Sequence, residues 1–312
     1  MISSLFGKTR PVNYILVLSV VFVFFSLAQL RQDESFVFSS NFLWVIAGLC
    51  CLLLSLFLVN FIVQRNQLTA ADSYAMFFYA QFCILFQDFF KDPVVLIASF
   101  FLLLAQRRLI SMKSMKNLKE KIFDAALYIF AASLFVNWTL LFILIVWVYI
   151  YFYIPKKINY WLIPFAAGVT VGLTSWSVFF LSGDPQYLFD HFAFSLEPLK
   201  IGVLPVFSVV KTASFLLLIS LAGIIAFIKQ GKSGQGRLTQ LRLLVIAWIA
   251  GIAIAFLTGE RFTSAIAFAF LTSAVFAARY VESIRRIFVK NIVMYAFAVV
   301  SVVVFFLEWV LK

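Results

Sequence analysis

The sequence predicts an all-α fold: a polytopic membrane helix bundle of about eleven transmembrane helices, N-terminus inside and C-terminus outside. Three observations predict it. The 312 residues are 64% hydrophobic and only 12% charged, where a soluble domain is nearer half apolar and a quarter charged. Apolar runs recur along the whole chain at the length a bilayer demands, about 20 residues or somewhat fewer where the protein is locally thin. Basic residues collect on alternate connections between those runs, as the positive-inside rule requires.

In chain order, the first segment, 12–30, follows the basic start at Lys8 and Arg10. The stretch "KTRPVNYILVLSVVFVFFSLA" also has the layout of a signal peptide, with Ser26-Leu27-Ala28 as the cleavage site. Cleavage there would remove one helix without reorienting the others. Segment 42–63 comes next. Segments 73–87 and 93–106 are short and read either as two crossings or as a re-entrant hairpin; both leave the remaining topology unchanged. A single helix from Ile122 to Ile154 would be about 50 Å long, too long for a hydrocarbon core of about 30 Å. A hairpin of segments 122–136 and 139–154, turning at Asn137-Trp138, is therefore expected. Segments 159–181, 203–228, 243–258, 262–279 and 291–310 complete the set.

The longest connections run to about twenty residues, well short of a domain, so residues 1–312 form a single integral membrane domain. Two connections are basic. Residues 107–121 place Leu109, Met112, Met115 and Leu118 at three-residue spacing among cations, the pattern of an amphipathic linker helix lying on an anionic cytoplasmic leaflet. Residues 229–242 form a basic cytoplasmic loop whose "SGQG" lacks the GK[ST] ending of a phosphate loop.

With the N-terminus inside, 19 of the 25 Lys and Arg residues fall on the cytoplasmic side. Only Arg31, Lys91, Lys200, Arg261 and Lys312 fall outside, with Lys211 within a segment. The net charge of +12 is thus a topology signal with anionic-lipid contact, and no nucleic-acid partner is expected. The expected location is the bacterial inner (cytoplasmic) membrane, multi-pass. Cys50, Cys51 and Cys83 lie in apolar runs without metal or disulfide spacing, and a single histidine, His191, excludes His-rich metal sites.

The acids distribute oppositely. Asp184, Glu197 and Glu308 read as residues that end helices in water. Asp33-Glu34 and "QDFFKDP", with Asp88 and Asp92, are short outer loops each holding two carboxylates beside the bilayer. Carboxylates held together there accept a proton from an attacking hydroxyl or hold a divalent cation. Lys211 sits about two turns into the eighth segment, where an ammonium faces a cavity or partner or snorkels to the interface. Arg261 lies between two helices at the same outer surface, as a planar fork suited to phosphate oxygens or a partner of Glu260. Asp124 reads as an interfacial acid paired with a nearby Lys, and Asp190-His191 as a solvated loop.

At these residues the chain resembles the GT-C class of multi-pass glycosyltransferases, which take a sugar from a polyprenyl-phosphate carrier at the outer face of the membrane. The acidic motif of that family's first outer loop is matched in position by Asp33-Glu34, and its second acidic site by Asp88 and Asp92. "DPVVLIASFFLLLAQRRLIS" is similar to the family's acid, apolar helix and basic loop. "FDAALYIFAASLFVNWTLLFILIVW" looks like the hairpin that follows, and "GERFTSAIAFAFLTSAVFA" like a late Arg-aromatic motif. The resemblance implies Asp33 or Glu34 as base, Asp88 and Asp92 as metal or acceptor contacts, and Lys211 and Arg261 as carrier-phosphate ligands. The chain departs from the family in its first outer loop of about ten residues, much shorter than the family's, and in having no large outer C-terminal domain. It also resembles bacterial multi-pass inner-membrane proteins that open with a similar basic-Pro-aromatic N-terminus, a likeness that implies location alone. Two functions stay open at this point: a transferase using a polyprenyl-phosphate-linked sugar, and a non-enzymatic subunit, scaffold or carrier of envelope assembly. Asp33 or Glu34, Asp88 or Asp92, Lys211 and Arg261 are expected to converge on one outer-facing cavity.

Overall fold

The computed structural model describes residues 2–7, 11–30, 42–70, 72–184, 186–194, 205–230 and 235–311, and these form helices and turns with no strand. The long helices are α2 (Pro11–Leu30), α3 (Phe42–Arg65), α6 (Pro93–Ile110), α10 (Ile163–Leu181), α12 (Val206–Gln230), α13 (Gln235–Leu257), α15 (Phe270–Ser283) and α16 (Ile287–Leu311). Between them lie α1 (Ile2–Phe6), α4 (Tyr74–Leu85), α5 (Asp88–Lys91), α7 (Leu118–Ser133), α8 (Ile143–Tyr153), α9 (Ile158–Trp161), α11 (Tyr187–His191) and α14 (Phe262–Ala265). All eleven expected segments coincide with helix. Among the described residues, eight helices are long and apolar enough to cross a membrane, some of them counted with an adjoining short turn.

Two helices form the centre. In α4 every residue from Tyr74 to Ile84 is buried, and the span containing α14 and α15 is 94% enclosed by the rest of the protein. Around them stand α2, α3, α6, α12, α13 and α16, with α10 outermost on α7. In lipid, helices gain little from the hydrophobic effect and associate by close packing. Aromatic rings supply it here: Phe82 and Phe86 of the α4 end meet Phe215 of α12 at 5.0 and 5.2 Å between centroids. Phe270 of α15 receives Phe86 at 5.7 Å and Phe89 at 5.8 Å. Small residues let backbones close in, and a Cβ on Gly251 of α13 would stand 3.0 Å from the carbonyl of Phe268.

Cross-helix polar contacts collect at two ends of the bundle. At one end the Gln29 amide donates to the Phe90 carbonyl at 2.6 Å, and the Asn137 amide to the His191 carbonyl at 3.1 Å. At the other, the Ser3 backbone donates to Asn291 at 3.0 Å, the Ala70 backbone to Glu282 at 2.8 Å, and Arg279 to the Leu68 carbonyl at 2.6 Å. Lys113 donates to Gln240 at 3.0 Å, and Arg108 pairs with Asp124 at 2.8 Å. Asp124 therefore meets an arginine where a lysine was expected. Thr170, Thr174 and Ser175, the polar residues midway along α10, bond only to carbonyls of their own helix in the contacts seen.

Two connections differ from the sequence reading. Residues 107–121 do not form one surface helix: α6 runs on to Ile110, a 3₁₀ turn spans Ser111–Ser114, and α7 begins at Leu118. Met115 and Asn117 adopt left-handed backbone (φ 53° and 49°), which ends any continuous helix. Leu109 and Met112 point into the core. Leu118 is half-buried against the core and Met115 is exposed, so the four spaced residues do not share one face. Most of the described part of 229–242 is likewise helical, because α13 begins at Gln235.

Candidate functional site

The site grows from the connector between α4 and α6. Leu85 ends α4, the one-turn helix α5 follows, and "DP" starts α6 with Asp92 as N-cap and Pro93 as first helical residue. This is the expected use of both residue types: the aspartate oxygen accepts from a free backbone N–H, and proline needs none. Asp92 Oδ1 accepts from Val95 N at 3.2 Å. Its other oxygen accepts from the Ser264 hydroxyl at 3.4 Å and lies 3.8 Å from Arg261 Nε.

Arg261 is presented by a tight turn. Helix α13 ends at Leu257, and Gly259 then takes φ +57°, a backbone conformation in which a side chain is strained. The chain reverses and Arg261 emerges 48% exposed beside Asp92. Next to this pair opens a cleft of about 380 Å³, lined by Val94, Asn137, Trp138, Tyr187, His191, Thr258 and Arg261 among others. His191 Nε2 lies 2.8 Å from the Ser133 carbonyl. A carbonyl only accepts, so Nε2 carries a proton there, and a neutral ring keeps Nδ1 as its acceptor. The imidazole stacks on Tyr187, with centroids 5.8 Å apart and planes 13° apart. The cleft combines one cation, two aromatic side chains, an amide and an imidazole.

On the other side of α5, Lys211 and Glu308 form an ion pair with both side chains 3% exposed. Gln87 donates to the second Glu308 oxygen at 2.7 Å, and the Lys211 ammonium stands 4.9 Å from the Phe86 ring centroid. Glu308, read from sequence as ending a helix in water, is instead buried inside the bundle. The physical reason is Lys211: an ammonium closed off from water needs an anion at the same depth.

The sequence candidates therefore separate. Arg261 lines the cleft, and Asp92 pairs with it without lining the cleft. Lys211 is held by Glu308 and does not line it. Asp88 opens α5, half-buried, and is not a lining residue. Asp33 and Glu34 lie outside the described residues. Among the described residues no group of three or more His, Cys, Asp or Glu side chains is placed to hold a metal ion. Sequence reasoning missed His191, Trp138 and Tyr187. Only the Asn137-Trp138 turn hinted at them, since it places an amide and an indole at the helix end where Arg261 also falls.

At the opposite end, Asp72 is 4% exposed and its side chain hydrogen-bonds that of Glu282. Burial first, then the Glu282 carboxylate, pushes the Asp72 carboxyl up to about 8, against the pull of the Tyr74 backbone N–H and Lys290. Comparisons with protein families, with curated proteins and with solved structures returned no match for this chain.

Proposed function

We propose that the chain crosses the bacterial cytoplasmic membrane eleven times, N-terminus inside, and that the cleft beside Arg261 takes the phosphate of a polyprenyl-phosphate-linked sugar at the outer face, as in a GT-C-like glycosyltransferase. The topology is supported by the polar contacts at the two ends. Gln29 with Phe90, Asn137 with His191 and Asp92 with Arg261 all join residues assigned outside. Ser3 with Asn291, Lys113 with Gln240 and Arg108 with Asp124 all join residues assigned inside.

One observation carries the functional reading: a half-exposed arginine, paired with a carboxylate, lines a polar, aromatic-walled cleft on the face assigned outside. Arg261 supplies the bidentate fork for a phosphate. Trp138 offers an aromatic wall for a sugar, and Asp92 holds the guanidinium in place. Asp33 or Glu34 would serve as base. The burial of Lys211 against Glu308 removes one of two expected phosphate ligands and favours the second reading, a non-enzymatic membrane subunit whose outer cleft holds a partner.

The test uses the purified full-length protein in detergent with a short polyprenyl phosphate as probe. Arg261→Ala should weaken binding by about tenfold or more, the loss of one charge-assisted contact of about 1.5–3 kcal/mol. Equal affinity of wild type and variant would remove the phosphate site. Asp33→Asn with Glu34→Gln then separates the readings. A transferase retains binding but stops releasing the carrier from its sugar-linked form, whereas a scaffold shows no such release in the wild type either.

A further inference from the structure

A second cavity lies away from the cleft, between α2 and α3. It holds about 830 Å³ and is walled by Ile15, Leu18, Phe57 and Phe61, with Gln64 and Arg65 at its polar edge. The Arg65 guanidinium carbon stands 5.9 Å from the Phe61 ring centroid, and that of Arg107, from α6, stands 4.7 Å from the same ring. Two like charges thus converge on one aromatic ring. Neither belongs to an ion pair among the described residues, whereas the adjacent Arg108 is paired with Asp124. Arg65 lines the cavity and Arg107 stands at its edge across Phe61, so an anion placed there is attracted by both. The walls are mostly apolar, with Tyr14 and Asn60 hydrogen-bonded to each other among them, and belong to two helices that are long and apolar enough to cross a membrane.

We infer that this groove binds one anionic glycerophospholipid, its phosphodiester held by Arg65 and Arg107 and an acyl chain lying along Ile15, Leu18 and Phe57. Arginine forks suit phosphate oxygens, and the arginine-bearing ring completes the polar edge without contributing a negative charge. The amide of Gln64 donates to the Asp72 backbone carbonyl at 3.1 Å, so occupancy of the groove bears on the loop that carries the Asp72–Glu282 pair. The inference is independent of the cleft at Arg261 and requires only that the helices reside in a bilayer.

The experiment uses the full chain, purified in mild detergent, stripped of lipid and titrated with phosphatidylglycerol, phosphatidylcholine or inorganic phosphate. Bound lipid is counted by native mass spectrometry. Each basic residue near an anionic headgroup is worth about a fivefold preference, so the pair should favour phosphatidylglycerol over phosphatidylcholine by roughly thirtyfold. Arg65→Gln with Arg107→Gln should abolish that preference. Leu18→Trp, which narrows the groove and leaves both arginines, should reduce phosphatidylglycerol uptake should the double variant fold poorly. Equal uptake of both lipids by the wild type overturns the inference, as does a preference that survives in the double variant or uptake unchanged in Leu18→Trp. Inorganic phosphate competing as well as phosphatidylglycerol would identify a soluble-anion site and overturn the lipid assignment.

Discussion

Truncating one member of the Lys211–Glu308 pair should be among the most destabilising single changes in the chain. Both side chains are 3% exposed, and neither Lys211→Met nor Glu308→Met leaves water access for the partner that remains. Breaking a buried pair from one side costs about 3–5 kcal/mol, because an uncompensated charge stays behind. For a chain of this size that corresponds to a fall in Tm of roughly 5–8 °C. Lys211→Met combined with Glu308→Met removes both charges and leaves Gln87 without the acceptor it finds at 2.7 Å. An orphaned buried amide costs about 1–3 kcal/mol, so the double variant should be more stable than either single one. Thermal unfolding of detergent-solubilised protein, followed by tryptophan fluorescence, reads all four corners of the cycle. Single variants losing less than about 1 kcal/mol, or single losses that simply add in the double, would refute the buried pairing.

Two further outcomes follow from the opposite end and from the helix packing. Asp72 has a folded pKa of about 8, far above the ordinary carboxylate value near 3.9. The folded protein therefore keeps a proton that the unfolded chain has lost. The associated stability is full below about pH 4 and falls as pH rises through about 8, at up to about 1.4 kcal/mol per pH unit. Melting curves between pH 5 and 9 should show that decline, and Asp72→Asn should flatten it; an unchanged slope in the variant would assign the decline to other groups. Gly251→Val should cost about 1–3 kcal/mol through overpacking, because any Cβ there meets Phe268 and Ala269 backbone at 3.0 Å. Unchanged melting of that variant would show that α13 moves away freely.

The long helices were legible because a bilayer demands unbroken apolar length, a requirement written directly into composition. Helix α4 was legible as the short segment 73–87, but its central place was not. Its apolar run is short because protein, not lipid, surrounds it, and nothing in a string of Tyr, Phe and Ala says which. Asp92 and Arg261 were legible as charges on one side, and their meeting follows from helix packing that sequence does not contain. Glu308 was misread because an acid near the end of an apolar run looks the same whether it faces water or a lysine 97 residues earlier. The clue was available in Lys211, since a buried cation implies a buried anion. His191 was invisible for a different reason: its role depends on a carbonyl 58 residues away, and backbone groups carry no sequence signature.

The buried pair also has a consequence for how the chain is made. Lys211 leaves the ribosome 97 residues before Glu308, so for that interval its ammonium has no counter-ion from this chain. The central helix α4 is older still and needs α15 and α16 beside it before its buried face is covered. Insertion and folding are therefore separate events: the early helices enter the membrane in order, but the centre closes only when the last helix arrives. A chain halted before residue 308 would hold an open core with an unneutralised lysine in it. Arrival of α16 is thus the step at which the buried face of α4 and the lysine are covered.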